Sequence, residues 1–239
     1  MKIIITKNKQ LLATRAANII IKQIKKKKSS VLALPTGNTP LGMYKKLRKA
    51  YRARRVNFKN VTTFNLDEYV GVPHNHKASF YYYMQKYFFK HINIKQANIH
   101  MLDGMAKNLK KESLKYEKML KKKKIDIAIL GIGLNGHIAF NEPGSTFKSK
   151  TRVIHLTLET RRSQKDFKNL RQVPKKGMTM GIYTIMQAKK IVLLASGKEK
   201  AEIIAKALKG KIDKNIPASY LQLHPKVIVI LDKQAAKDL

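Results

Sequence analysis

Ile127-Ala128-Ile129-Leu130-Gly131-Ile132-Gly133-Leu134-Asn135-Gly136-His137 runs from four apolar residues straight into a glycine-rich turn. A short apolar run without alternation is the pattern of a strand buried on both faces, as in a parallel sheet covered by helices. The Gly-x-Gly that follows marks the carboxyl end of such a strand, the edge at which open α/β sheets place their ligand chemistry. The turn continues as Ile138-Ala139-Phe140-Asn141-Glu142-Pro143-Gly144, so one loop carries an imidazole and, five residues on, a carboxylate. Glycines there allow positive φ and a close approach of backbone to ligand.

Outward from this stretch, strand and helix candidates alternate along the chain. Strands are expected at Ile3 to Thr6, Val31 to Leu34, Val61 to Leu66, Ile125 to Leu130, Val153 to Leu158, Lys189 to Ala195 and Val227 to Leu231. Helices are expected at Lys9 to Lys27, Leu41 to Ala53, Ser79 to Lys90, Leu109 to Lys122, Met178 to Met186 and Lys198 to Leu208. A polar loop is expected after Leu66 and a basic segment around Arg161 to Lys176. The pattern predicts a single α/β domain over residues 1–239, with a Rossmann-like open, mostly parallel sheet and helices on both faces. No internal repeat or linker divides it.

The 239 residues, 44% hydrophobic, suffice for one sizeable core. The apolar runs fall well short of the roughly 20 residues that cross a bilayer, and Met1 to Thr6 reads as a strand, too short for a signal peptide. Without cysteine there is no disulfide framework, thiolate nucleophile or Cys-ligated zinc. A cytoplasmic enzyme with no membrane partner fits these features. Lys and Arg number 51 against 14 Asp and Glu, a formal net charge of +37. The lysines spread over the polar sides of helix candidates, as at Lys25 to Lys28, Lys107 to Lys111 and Lys121 to Lys124. That distribution reads as a solvated surface, natural or redesigned, that attracts anions and opposes self-association. It supports non-specific attraction to nucleic acid, which salt removes, and no specific nucleic-acid partner.

Three further segments stand at expected strand ends. Thr36-Gly37-Asn38-Thr39-Pro40 pairs two hydroxyls and a glycine with a helix start, either a phosphate cradle or a turn capped by Thr39 with Pro40 at the first helical position. Asp67-Glu68 places two adjacent acids in a lysine-rich chain, which suggests a chemical role for one and a supporting role for its neighbour. Ser196-Gly197-Lys198-Glu199-Lys200 opens another helix, with Lys200 able to reach an anion or to serve as a surface charge. The remaining histidines, at 74, 76, 91, 100, 155 and 224, show no metal-ligand spacing.

In this order, and over nearly the whole chain, these segments resemble the glucosamine-6-phosphate deaminase (isomerase) family, together with Val173-Pro174, Met178 to Gly181 and Leu221 to Pro225. The related 6-phosphogluconolactonases have a similar Gly-His turn without the Phe140-Asn141-Glu142-Pro143 continuation. The resemblance implies conversion of glucosamine 6-phosphate and water into fructose 6-phosphate and ammonia, with no metal or organic cofactor. It implies His137 as the ring-opening group, tuned by Glu142 with Asn135 completing the set, and Asp67 as the base at carbon. Thr36, Gly37, Asn38, Thr39 and Lys200 would hold the phosphate, and a segment near 159–176 would act as a lid. Many family members have Asp at the position of Asn135, and they place a phosphate-binding arginine in the lid where this chain has Asp166. Arg161, Arg162 or Lys165 would then substitute. Loss of catalysis with retained phosphosugar binding, and lactone hydrolysis, are the alternatives. A monomer or weak homo-oligomer is expected from the charge and from the chain's place among the family's shorter members.

Overall fold

The computed structural model describes residues 1–164 and 166–239. Its main sheet is built from β1 (Lys2–Thr6), β2 (Val31–Leu34), β3 (Thr62–Asn65), β5 (Ile99–His100), β6 (Ile127–Leu130), β9 (Ile191–Ala195) and β10 (Val227–Asp232). These seven strands lie in the order β1-β10-β9-β6-β2-β3-β5, and every pairing between them is parallel. A small antiparallel sheet holds β4 (Asp67–Tyr69), β8 (Lys176–Thr179) and β7 (Arg152–His155), in the order β4-β8-β7.

The apolar strands are explained by a core on each side of the large sheet. Ile127 and Ile129 point to one face, where they pack with Leu12 and Ile20 of α1 (Lys9–Lys26), Met43 and Tyr44 of α2 (Leu41–Arg52) and Met84 of α3 (Phe80–Tyr87). Ala128 and Leu130 point to the other, against Tyr116 of α4 (Leu109–Lys122), Ile182 and Ile185 of α6 (Ile182–Met186), and Ile203 and Ile204 of α7 (Ala201–Lys209). A strand covered on both faces is buried at consecutive positions, so periodicity two disappears from its sequence. Rossmann-like architecture in a single domain is therefore the observed fold.

From the centre, the chain runs outward in both directions: β2, β3 and β5 go one way, and β6, β9 and β10 the other. The switch point falls between the neighbouring strands β2 and β6, and the loops after both leave the same edge of the sheet. Open α/β sheets bind ligands in the crevice that such a reversal creates.

Several expected elements are corrected. The helix from Met178 to Met186 is β8 followed, after Met180 and the N-cap Gly181, by α6. Met178 and Met180 are both fully buried two residues apart, which is strand spacing, and Gly177 lets the ring of Phe140 lie against the backbone of β8. The loop after Leu66 contains β4, paired with β8. The strand expected to reach Leu158 ends at His155, and Thr157 caps a short helix, α5 (Leu158–Arg162). Thr39 is not a cap: Pro40 occupies the N-cap of α2, without a side-chain cap hydrogen bond. The helix expected from Lys198 begins as a 3-10 turn, Lys198–Lys200, before α7.

Candidate active site

A cavity of about 1070 Å³ opens at the switch point. Loops after β1, β2, β6, β9 and β10 line it, joined by Asp67 at the head of β4 and by Glu159, Thr160 and Ser163 from α5 and the turn after it. Thr36, Gly37, Asn38, Thr39, Asp67, Asn135, His137 and Lys200 all face this one space, although they come from four separate stretches of chain. Glu142 does not line it; the carboxylate is buried behind Asn135.

The Gly131 to Gly144 loop folds tightly around its imidazole. The Gly133 N–H donates to the His137 carbonyl at 2.9 Å, and a Cβ at Gly133 would lie 2.2 Å from the His137 ring, so only glycine lets the ring cover that backbone. Gly136 takes φ +82° and packs under Ile216 and Ile203. Asn141, fully buried, donates through its amide to the carbonyls of Ile138 and Met180 and accepts from the Arg152 guanidinium at 2.9 Å.

The hydrogen bonds around His137 identify its tautomer. Asn135 donates its side-chain N–H to Glu142 Oε2 at 3.1 Å, which turns the amide oxygen toward the ring. That oxygen lies 2.8 Å from His137 Nδ1 and also accepts the His137 backbone N–H at 3.2 Å. An amide oxygen only accepts, so Nδ1 carries the proton, and Nε2, which has no partner among the described residues, is left as an acceptor in the cleft. The direct partner of the ring is thus Asn135; Glu142 Oε2, at 3.6 Å from Nδ1, acts through it. Burial lowers the ring's pKa from its ordinary value, Glu142 pulls it back upward, and Lys200 adds to the lowering.

Asp67 and Glu68 point to different places, as alternate positions of a strand do. Asp67 faces the cleft, and its carboxylate accepts no hydrogen bond from the described residues. Burial, with the like charge of Glu68 beside it, raises its pKa to about 8. Glu68 accepts backbone N–H bonds from Tyr69, Phe80 and Tyr81, each 2.9 Å, which ties β4 to the start of α3. Its burial outweighs those three bonds and raises its pKa to about 7.

At the other end of the cleft, the Thr36 to Thr39 loop is braced by phenols from beneath: Tyr44 donates to the Pro35 carbonyl, and Tyr83 to that of Gly37 at 2.6 Å. Lys200 is half-buried, and burial lowers its pKa against the pull of Glu199 and Glu159. Asp166 is exposed and lines the cleft. Arg161 does not take the place of a phosphate ligand, because its guanidinium donates to the carbonyls of Leu170 and Val173. Arg162 does not line the cleft either. Lys165, the third expected substitute, lies outside the described residues.

Thr157 and Thr160 were not singled out in the sequence, yet both belong to the site. Thr157 donates to Glu142, and the Thr160 hydroxyl stands 3.3 Å from His137 Nδ1. A threonine just before a helix, Thr157-Leu158-Glu159-Thr160, is a capping signal, but nothing local in the sequence says where that helix docks.

An open parallel sheet with a polar cleft at its switch point defines a small-ligand-binding α/β protein. Residues 7–229 match the model of the family described as glucosamine-6-phosphate isomerases/6-phosphogluconolactonase, and the chain belongs to that family. It is 51% identical to a glucosamine-6-phosphate deaminase of Thermoanaerobacter pseudethanolicus over 99% of this chain and 94% of the relative. A glucosamine-6-phosphate deaminase of Clostridium novyi is 48% identical, with both chains covered in full. A solved monomeric glucosamine-6-phosphate deaminase superimposes with a TM-score of 0.98 at 42% identity, again over the full length of both. The 6-phosphogluconolactonase of Trypanosoma brucei, at 21% identity and a TM-score of 0.79, shares the fold.

Proposed function

We infer that this chain is a glucosamine-6-phosphate deaminase, which converts glucosamine 6-phosphate and water into fructose 6-phosphate and ammonia. The observation that carries the reading is the pairing, across one cleft, of an imidazole with a free Nε2 and a carboxylate whose pKa is raised to about 8. The reaction needs both. Ring opening moves a proton from the anomeric hydroxyl to the ring oxygen, a task for a group that alternately accepts and donates. Nε2 of His137 is suited to it because Nδ1 is already committed to Asn135.

In the open-chain sugar, Asp67 takes the proton from C2 and returns one to C1 through an enolamine. A buried carboxylate is a stronger base than one at its ordinary pKa, and carbon acids require that strength. The imine left at C2 adds water and expels ammonia. Proton transfers suffice throughout, so the chemistry calls for no metal or organic cofactor. The phosphate is held by Thr36, Gly37, Asn38, Thr39 and Lys200, and that remote binding energy positions C2 over Asp67. The segment near 159–176 closes over the sugar as a lid. The reaction is a hydrolytic C–N cleavage and belongs to amino-sugar breakdown in the cytoplasm.

Ammonia release from glucosamine 6-phosphate tests the reading. Asp67→Asn is expected to abolish release while phosphosugar binding, followed by thermal stabilisation, persists. A parent protein that releases no ammonia overturns it. If that parent is still stabilised by the phosphosugar, Asp166 beside the cleft supports a binding protein in its place. Hydrolysis of 6-phosphogluconolactone, assayed in parallel, separates the lactonase alternative.

A further inference from the structure

Asp232 is buried at the wall of the cleft, yet the reaction gives it no task. A carboxylate beside a loop assigned to phosphate is out of place unless its oxygens are engaged, and here both are. The Gly197 N–H donates to Oδ1 at 3.1 Å and to Oδ2 at 3.2 Å, and the Ala235 N–H donates to Oδ1 at 2.9 Å. The sheet sets up the first contact. Asp232 ends β10 one residue past Leu231, whose partner is Ala195 at the end of β9, so it stands beside the Ser196 to Lys200 loop as that loop leaves the neighbouring strand. Gly197 takes φ +97° and ψ 150°, a conformation essentially confined to glycine, and a Cβ there would run into the Glu199 carboxylate. Glycine permits such a turn without enforcing it, because it has more backbone freedom than any other residue. The bond from its N–H to Asp232 supplies the constraint, and the hold passes on: the Lys200 N–H donates to the Gly197 carbonyl at 3.1 Å, closing the 3-10 turn that carries Lys200.

We propose that Asp232 is a positioning residue for the anion end of the cleft: by clamping Gly197 it holds the Ser196 to Lys200 turn in the conformation that presents Lys200 to the phosphate of the substrate. The proposal rests on the phosphosugar reading of the cleft, in which Lys200 is a phosphate ligand. Asp232 acts through the loop and does not touch the sugar. A bond from a backbone N–H to a carboxylate is stronger than one to a neutral acceptor, which suits a clamp on a glycine turn. A loop ordered in advance spares the phosphate the cost of ordering it on binding.

The carboxylate has two tasks that a variant must separate. Through the Ala235 N–H it caps the turn that follows β10, which is a structural role. Asp232→Ser keeps a capping hydroxyl for Ala235 but is one bond too short to hold Gly197 as well. Asp232→Asn keeps an oxygen at the position of Oδ1, which serves both donors. The two variants carry the same charge, so a difference between them reports the clamp and excludes a change in the local field.

The probe is inorganic phosphate, its Kd measured by calorimetry as the part of the binding that glucosamine 6-phosphate displaces, at about 0.15 M salt to screen the surface lysines. Asp232→Ser is expected to raise that Kd about fivefold or more, with KM for ammonia release following, while Asp232→Asn stays within about twofold of the parent. In a Lys200→Ala background the serine change should alter Kd by less than about twofold, because the group it positions is gone. Asp232→Thr, also a capping residue, repeats the measurement if the serine variant does not fold. The proposal alone is overturned if Lys200→Ala weakens phosphate binding and Asp232→Ser does not. The same holds if the serine and asparagine variants weaken it alike, or if the serine effect persists in full without Lys200. Lys200→Ala with the parent's Kd overturns the phosphate reading of the loop and the proposal together. A parent that binds phosphate in the cleft without releasing ammonia overturns the deaminase reading, and the differences in Kd still decide the role of Asp232.

Discussion

At the scale of single residues, the site is organised by what burial does to ionisable groups. Asp67 sits in the cleft with its pKa raised to about 8, chiefly by desolvation. If it is the base at carbon, kcat/KM should rise with pH and reach half of its plateau near pH 8, because the free protein must first lose that proton. A profile already flat below pH 7 contradicts the assignment. The same shift carries a stability consequence of definite sign. Between the ordinary carboxyl pKa of 3.8 and about 8, the folded protein keeps a proton that the unfolded chain has lost, so Asp67 lowers stability as pH rises through that window. Asp67→Asn removes the cost. Thermal melts should show the variant near the parent at pH 4 and more stable, by roughly several degrees, at pH 8.5. Equal melting temperatures at both values contradict the burial argument.

At the scale of elements, Glu68 couples a strand to a helix. Its three backbone bonds hold the end of β4 against the start of α3, and its charge raises the pKa of Asp67. Glu68→Gln keeps one acceptor oxygen and strands the Tyr81 N–H, at a cost of about 1–3 kcal/mol. A lower melting temperature is expected together with a kcat/KM profile displaced to lower pH, and a variant with neither change contradicts this account. What could be read beforehand followed the same division between local and distant causes. Six of the seven parallel strands and the loops beyond them were legible as short runs of apolar and β-branched residues, and Gly131 to Gly144 announces its own turn; β5, two half-buried residues at Ile99–His100, is too short to show such a run. In the small sheet β7 was legible, though read three residues too long, and β4 and β8 were not. β8 reads as helix in the sequence because Met178 and Met180 fit more than one period, and β4 reads as loop because its acids are buried by β8 and α3, which are distant in sequence. Asp67 and His137 could be named from the sequence, but the Asn135 contact that sets the tautomer, and the approach of Thr157 and Thr160, depend on where α5 docks.

At the scale of the whole molecule, a net charge of +37 acts on folding and on substrate capture in opposite senses. Of the 14 acidic residues, seven are buried: Asp67, Glu68, Glu112, Glu117, Asp126, Glu142 and Asp232. Several of these hold internal contacts, as Asp126 does with Lys27 at 2.7 Å and Lys189 at 3.0 Å, so the exposed surface is more one-sided than composition alone indicates. Like charges spread over a surface repel, which weakens the compact state and opposes association. They also create a positive field around the cleft, and a phosphosugar is an anion. Both effects are screened over about 10 Å at 0.1 M salt, but screening strengthens the fold while it weakens attraction of the substrate. Adding sodium chloride from about 10 mM to about 200 mM, a range over which the Debye length falls several-fold, is therefore expected to raise the melting temperature and lower kcat/KM. Sedimentation should show a monomer at the low-salt end, where repulsion is strongest. A stable oligomer there contradicts the charge argument for assembly. A kcat/KM that rises with salt while the fold also stabilises shows that the cleft draws its substrate by local contacts at the Thr36 to Thr39 loop and Lys200, with no measurable help from the surrounding field.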